Sequence, residues 1–172
     1  MRGTDLRVDL FLQRHGPAEE RGAAHPDDSL RPLTAEGRAR MAEIARGMRR
    51  LGIAPDVLLT SPLARAHETA EIVASVLRLD VRFEVLEALS PGADHRGALR
   101  WLASKAPGCV SALLIGHEPD LGLFTGSLVT GGRSASLHLK KGGLACVRLD
   151  RWDASEGELR YLLEPRHLAK LG

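Results

Sequence analysis

The sequence predicts an α/β fold of three layers, a mostly parallel central sheet with helices on both faces, and three observations carry that expectation. Short apolar runs alternate with stretches of helical periodicity, the trace that a parallel sheet and its crossover helices leave in a chain. Several runs, Leu10-Phe11-Leu12 and Val57-Leu58-Leu59 among them, are apolar at successive positions, so both faces of those strands are expected to be covered. The chain has 172 residues, 44% hydrophobic and 27% charged, which suits one domain over 1–172 with a sizeable core.

The first strand is expected over residues 6–13. A polar stretch follows over 17–33, rich in Pro, Ala, Glu and Asp. Connections of that length without structure are uncommon and often form binding or lid segments. Thr34 is placed to cap the next helix, in which Met41, Ile44, Ala45, Met48 and Leu51 recur at helical spacing, and Gly52 ends it. A second buried strand is expected over 57–60. Ser61-Pro62 then reads as a helix start, the serine capping free N–H groups and the proline fitting the first helical position. Leu63, Ala66, Ala70, Val73 and Leu77 form the buried stripe of that helix. Residues 81–86 alternate as a third strand, and Leu99, Leu102, Ala103 and Ala106 stripe a third helix. A fourth strand is expected over 110–115, then a fourth helix through Leu121, Phe124 and Leu128. Two alternating runs in the tail, 144–149 and 159–163, suit edge or antiparallel strands.

Composition excludes several function classes. With 24 Lys+Arg against 22 Asp+Glu, the net charge of +2 sets up no field that calls for nucleic acid or an acidic membrane surface. Aromatic residues are 3%, too few for base-stacking platforms. No apolar run approaches the roughly 18 residues of a membrane-spanning helix. The opening Met1-Arg2-Gly3-Thr4-Asp5 does not lead into a signal-like apolar core. Cys109 and Cys146 lie in apolar, strand-like runs and read as buried small hydrophobes in a reducing cytoplasm rather than as a disulfide framework.

Open α/β sheets bind ligands beyond the carboxyl ends of their parallel strands, so the residues that follow each strand matter most. Arg14-His15-Gly16 follows the first. Ser61-Pro62-Leu63-Ala64-Arg65 follows the second and puts Arg65 in the first turn of its helix. Gly116-His117-Glu118-Pro119 follows the fourth. Two arginines and two histidines are thus expected at one crevice. That set suits a phosphoryl dianion, because guanidinium forks match phosphate oxygens. A neutral imidazole there can attack phosphorus through one nitrogen while the other keeps its proton.

Four segments resemble the histidine phosphatase (phosphoglycerate mutase-like) superfamily. They are Gln13-Arg14-His15-Gly16, Asp28-Ser29-Leu30-Arg31-Pro32-Leu33-Thr34-Ala35-Glu36-Gly37, Ser61-Pro62-Leu63-Ala64-Arg65-Ala66-His67-Glu68-Thr69-Ala70, and Ile115-Gly116-His117-Glu118-Pro119. The short length, Leu89-Ser90-Pro91-Gly92 and a tail with Glu164-Pro165 look like the SixA-type phosphohistidine phosphatase branch, and the likeness runs from about residue 8 to about 168. The resemblance implies a phosphoglycerate mutase-like fold and a phosphatase that works through a phosphohistidine intermediate on His15. Arg14, Arg65 and a protonated His117 would hold the phosphoryl oxygens, with Gly16 in the phosphate pocket and no metal or cofactor. The substrate would be a phosphorylated molecule, with a phosphohistidine-bearing protein domain as partner, and neither nucleic acid nor membrane. The short chain leaves no room for a roof over the site. The general acid is open: Glu87 lies at about the right place, but the surrounding acidic motif of the mutases is missing, and Glu19, Glu20, Asp94 and Asp120 compete.

Other readings stand beside this one. A small phosphomonoester by the same chemistry, or a non-catalytic module that binds phosphorylated ligands, would use the same residues. His15 and His117 with Glu118 or Asp120 could ligate a metal, against the charge of Arg14. Arg38, Arg40, Arg46, Arg49 and Arg50 read as the solvated face of a helix, and Lys140-Lys141 as a hairpin turn with its charges outward. His25, His67, His95, His138 and His167 read as surface or satisfied residues, and Trp101 and Trp152 as packing.

Overall fold

A computed structural model describes residues 7–80 and 82–172. Its elements are β1 (Val8–Arg14), α1 (Ala35–Arg50), β2 (Val57–Thr60), α2 (Ala64–Leu77), β3 (Arg82–Val85), α3 (Arg96–Lys105), β4 (Ser111–Gly116), α4 (Asp120–Val129), β5 (Leu144–Leu149), β6 (Gly157–Leu163) and α5 (Pro165–Leu171). The six strands make one sheet in the order β3-β2-β4-β1-β5-β6. The first four in that order run parallel, while β5 and β6 are added antiparallel. Leu6 and Val81, which the sequence places in the first and third strands, lie outside the described residues.

Period-two alternation divides the buried residues between two cores. Leu10 and Leu12, Leu59, and Ala112 and Leu114 face α3 and α4, where they meet Leu99, Leu102, Leu121, Phe124 and Leu128. Phe11, Leu58, Leu113 and Ile115 face the other way, onto Met41, Ile44 and Met48 of α1, Ala66, Ala70 and Val73 of α2, and Leu168 of α5. The α/β three-layer architecture is the one the sequence predicts. Among the described residues no helix is long and apolar enough to cross a membrane.

Thr34 caps α1 as expected, its side chain accepting from the Gly37 N–H at 2.8 Å. Ser61 does not cap α2. The helix begins at Ala64 with no side-chain cap, and the Ser61 hydroxyl accepts from the Leu63 N–H, at 3.2 Å, inside the turn. Lys140-Lys141 is not a hairpin turn either. The turn leads into β5 with no strand before it, and Gly142 supplies the positive φ of 82° that it needs. Cys146 is buried in β5 as read, whereas Cys109 lies before β4 and only half-buried; both are free thiols.

Candidate active site

Neighbouring strands β1 and β4 hand the chain to opposite faces: β1 leads to α1 in one core, β4 to α4 in the other. A crevice opens at such a switch point beyond the carboxyl ends. The β1–β4 ladder is extended by one bond, from the His15 N–H to the Gly116 carbonyl at 3.1 Å, and Ser61 is tied to the end of β4 by its N–H to the Ile115 carbonyl at 3.1 Å. His15 and His117 are thereby side by side, with ring centroids 5.0 Å apart, and the structure brings Arg14, His15, Arg65 and His117 together around the crevice.

The backbone decides which nitrogen of His15 is free. Its Nδ1 lies 2.7 Å from the Gly16 carbonyl oxygen, which only accepts, so Nδ1 carries the proton and Nε2 keeps its lone pair. Gly16 gives its N–H to the Thr69 hydroxyl at 3.1 Å, and Thr69 donates in turn to the Arg65 carbonyl at 2.7 Å. Both backbone groups of Gly16 are thus spent on orienting His15 and joining it to α2, so its N–H is not free for a phosphate oxygen. A Cβ on Gly16 would lie 2.5 Å from the Met41 Cγ, which holds this position to glycine.

Arg65 is 3% exposed and is gripped by Asp28, with Nη1 on the Asp28 carbonyl at 2.8 Å and Nη2 on its carboxylate at 3.0 Å. Arg21 and Arg31 hold the same carboxylate, each through Nε at 2.9 Å. Partial burial opposes ionisation of Asp28, but Arg31, Arg65 and Arg21 outweigh it and hold the carboxyl below its usual range. The polar stretch 17–33 is therefore folded against the crevice. On the other side, Arg14 donates from Nη1 to the Leu139 carbonyl at 3.0 Å, while Glu118 accepts from the Leu139 N–H at 3.2 Å. Burial pushes the Glu118 carboxyl up, against the pull of that N–H, His138 and Arg14.

Electrostatics set the resting charge of the two histidines. Burial first, then the charges of Arg65 and Arg14 among others, pull His15 down to about 3 in spite of its bond to Gly16. Burial, with His15 and Arg65, pulls His117 down to about 3 as well. In the free crevice both imidazoles are neutral at physiological pH. The positive charge there is supplied by Arg14 and Arg65, which stay ionised. Three polar atoms at the site, Arg14 Nε, Arg65 Nε and His117 Nδ1, are buried without a hydrogen-bond partner. Such orphans are rare in folded proteins and need a particular reason.

Glu87 stands apart. It lies in a single 3-10 turn after β3, exposed, and accepts from the Ser90 hydroxyl at 3.1 Å. Asp94 is engaged by Arg100 at 2.8 Å, Asp120 accepts from the Gly92 N–H at 2.9 Å, and Glu19 enters through its carbonyl, which takes Arg31 Nη1 at 2.6 Å. None of these bonds joins a carboxylate to the two histidines. Among the described residues no three His, Cys, Asp or Glu side chains are gathered as a metal ion would require.

Sequence reasoning missed two site residues and misread a third. Asp28 and Thr69 stood inside the quoted segments without a role, and Ser61, taken as a cap, places its Oγ 2.8 Å from His117 Nε2.

The chain is similar to known proteins over most of its length. The profile of the histidine phosphatase superfamily (branch 1) matches residues 10–90. An uncharacterised protein of Picosynechococcus sp. is 36% identical over 165 residues, covering 94% of this chain and 99% of that one. The phosphohistidine phosphatase SixA of Escherichia coli is 30% identical over 162 residues, covering 94% and 96%. The structure of the protein histidine phosphatase SixA complexed with tungstate superposes with a TM-score of 0.82 at 30% identity, covering 94% of this chain and 99% of that one. A mycobacterial glucosyl-3-phosphoglycerate phosphatase, with a TM-score of 0.64 at 15% identity over 92% and 99% of the two chains, shares the fold. The chain belongs to the histidine phosphatase superfamily, and within it to the SixA-type phosphatases.

Proposed function

We propose that this phosphatase removes the phosphoryl group from phosphohistidine, presented on a protein domain, through a covalent intermediate on His15. The observation that carries the reading is the His15 ring itself, with Nδ1–H fixed on the Gly16 carbonyl and an unprotonated Nε2 beside Arg14, Arg65 and His117. In the first step the Nε2 lone pair attacks phosphorus. A bond forms between Nε2 and phosphorus, the bond from phosphorus to the substrate nitrogen breaks, and the leaving imidazole gains a proton. In the second step a water oxygen attacks phosphorus, the bond to His15 breaks, and orthophosphate leaves with Nε2 free again. Arg14, Arg65 and His117 hold the oxygens and meet the charge that develops, which is most of what phosphoryl transfer asks of a protein.

Two further observations favour phosphohistidine over an alkyl phosphate. Among the described residues no candidate proton-donor carboxylate is hydrogen-bonded to the two histidines, and a leaving imidazole takes its proton from solvent more readily than an alkoxide does. The relative in Escherichia coli, similar over nearly the whole chain, is named a phosphohistidine phosphatase. The two free cysteines favour a cytoplasmic setting for the enzyme.

Incubation with a phosphohistidine-bearing domain is expected to release orthophosphate, and rapid quench in alkaline denaturant should trap an acid-labile phosphoenzyme that His15→Ala abolishes. Release that persists in His15→Ala, or an absence of turnover with every phosphohistidine donor tried, overturns the proposal.

A further inference from the structure

We propose that Glu118 is a positioning residue for Arg14: through the peptide of Leu139 it seats the guanidinium so that its Nε–H and Nη2–H edge faces the phosphoryl group. The inference deepens the phosphatase reading above. It rests on Arg14 holding phosphoryl oxygens and not on which substrate carries them.

Arg14 ends β1, and its side chain makes one hydrogen bond among the described residues, from Nη1 to the Leu139 carbonyl at 3.0 Å. Its Nε is buried without a partner. In a planar guanidinium Nε–H and Nη2–H point the same way and are spaced for two oxygens, a fork that phosphate accepts. A grip on Nη1 fixes the plane and leaves that fork open. Arg65 is held in a like manner: the Asp28 carbonyl takes Nη1, its carboxylate takes Nη2, and Nε is again buried and unpartnered. A ligand with several acceptor oxygens accounts for both orphaned Nε–H groups, where packing gives no reason to bury either.

The group that holds Arg14 is itself held. The Leu139 N–H donates to Glu118 Oε1 at 3.2 Å. Residues 137–139 belong to no strand, so no ladder fixes the Leu139 carbonyl. The Glu118 side chain is 8% exposed, with Oε2 lying 3.5 Å from the His138 ring. A carboxylate buried to that extent is costly unless it is well bonded. The first turn of α4 clears the place for it. A Cβ on Gly122 would stand 2.8 Å from Glu118 Oε2 and 2.8 Å from the Leu137 carbonyl, so glycine lets the carboxylate and the segment 137–139 approach together. The Leu137 N–H returns to the Gly122 carbonyl at 3.0 Å. Burial weighs against the charge on Arg14 and Glu118 supports it, yet a peptide stands between the two. A carboxylate paired directly with Arg14 would occupy the donors that the phosphoryl group needs. Glu118 follows His117, so the segment after β4 delivers one ligand of the phosphoryl group and orients another.

The test uses Glu118→Leu, which removes the acceptor, and Glu118→Gln, which keeps one for the Leu139 N–H. Both remove the same negative charge, so the difference between them reads the acceptor alone. Orthophosphate is titrated calorimetrically at pH 7, and arginine Nε–H resonances are followed with 15N-labelled arginine, that of Arg14 being assigned by its loss in Arg14→Lys. With saturating orthophosphate the wild-type protein is expected to show a hydrogen-bonded, slowly exchanging Arg14 Nε–H. Glu118→Leu should bind orthophosphate about tenfold more weakly and lose that resonance, and Glu118→Gln should recover most of both. In an Arg14→Lys background Glu118→Leu should cost little further affinity, because its effect runs through Arg14. A merely structural Glu118 would lower the urea midpoint and leave affinity and resonance alone. If Glu118→Leu does not fold, the wild-type spectrum still decides. Unchanged affinity in a folded Glu118→Leu, a Glu118→Gln as weak as Glu118→Leu, an equal loss in the Arg14→Lys background, or no Arg14 Nε–H signal in the saturated wild-type protein overturns the proposal. Orthophosphate binding needs no turnover. A protein that shows this signature and yet dephosphorylates no phosphohistidine would refute the substrate assignment and leave the role of Glu118 standing.

Discussion

Arg65 shows how much a single side chain depends on one neighbour. It is almost fully buried, and its guanidinium is oriented by the carbonyl and the carboxylate of Asp28 together. Removing the carboxylate leaves a buried cation with one partner fewer, which costs more than an exposed ion pair would. Asp28→Ala is therefore expected to lower kcat/KM about tenfold, with a fall in the urea midpoint. Asp28→Asn should lose less on both counts, because a side-chain acceptor and the backbone carbonyl remain. Steady-state kinetics and urea unfolding of the two variants check this, and an Asp28→Ala protein with wild-type kinetics would sink it. The meeting of the motif residues was legible: two histidines and two arginines expected at strand ends do come together in one crevice. What was not legible is who holds them. Asp28 is 37 residues from Arg65 and Ser61 is 56 from His117, and no local pattern pairs residues at such separations. His95, read as satisfied or exposed, is buried with its Nε2 unpartnered, and sequence does not record whether a buried ring nitrogen has found a partner.

At the scale of elements, periodicity located all six strands and the first four helices: most carry a buried stripe or a buried run, whereas β3 and β6 showed themselves by alternation alone. Helix α5 escaped. It has seven residues and one fully buried anchor, Leu168, too few to set up a periodicity. Backbone contact with α1 holds it instead: a Cβ on Gly47 would collide with the Leu168 carbonyl, so α1 and α5 cross where glycine lets them approach. Gly47→Ala must push α5 away or bend α1. The gain of about 1 kcal/mol that alanine brings to a helix interior is outweighed by overpacking of about 1–3 kcal/mol. The variant is expected to be destabilised in urea and to expose residues 165–171 to amide exchange, with the crevice at the far end of β1 still binding orthophosphate. A Gly47→Ala protein as stable as the wild type would show that α5 is not seated by this contact.

For the whole molecule, the crevice is a concentration of unfavourable solvation that the rest of the fold sustains. Two neutral imidazoles and two guanidinium groups share one partly buried volume, and both histidines are drawn from 6.5 down to about 3. Between those values the unfolded chain binds protons at His15 and His117 that the folded chain does not, so stability rises with pH across this window and is lost as pH falls through it. The slope is about 1.4 kcal/mol per pH unit for each histidine while the difference lasts, and it vanishes above the unfolded value. From pH 6 to 5 this slope lies above most of the carboxylate range, where the lowered Asp28 adds its own loss only at more acid pH. Urea midpoints measured from pH 7.5 down to 4.5 should therefore fall for the wild-type protein, and less for His15→Asn and His117→Asn, which have no proton to refuse. Saturating orthophosphate should flatten the wild-type curve further, because an anion in the crevice lets His117 accept the proton that the free site turns away. Equal acid slopes in the wild-type protein and both variants would mean that the two rings do not carry this charge penalty, and that the neutral Nε2 of His15 owes nothing to the arginines beside it.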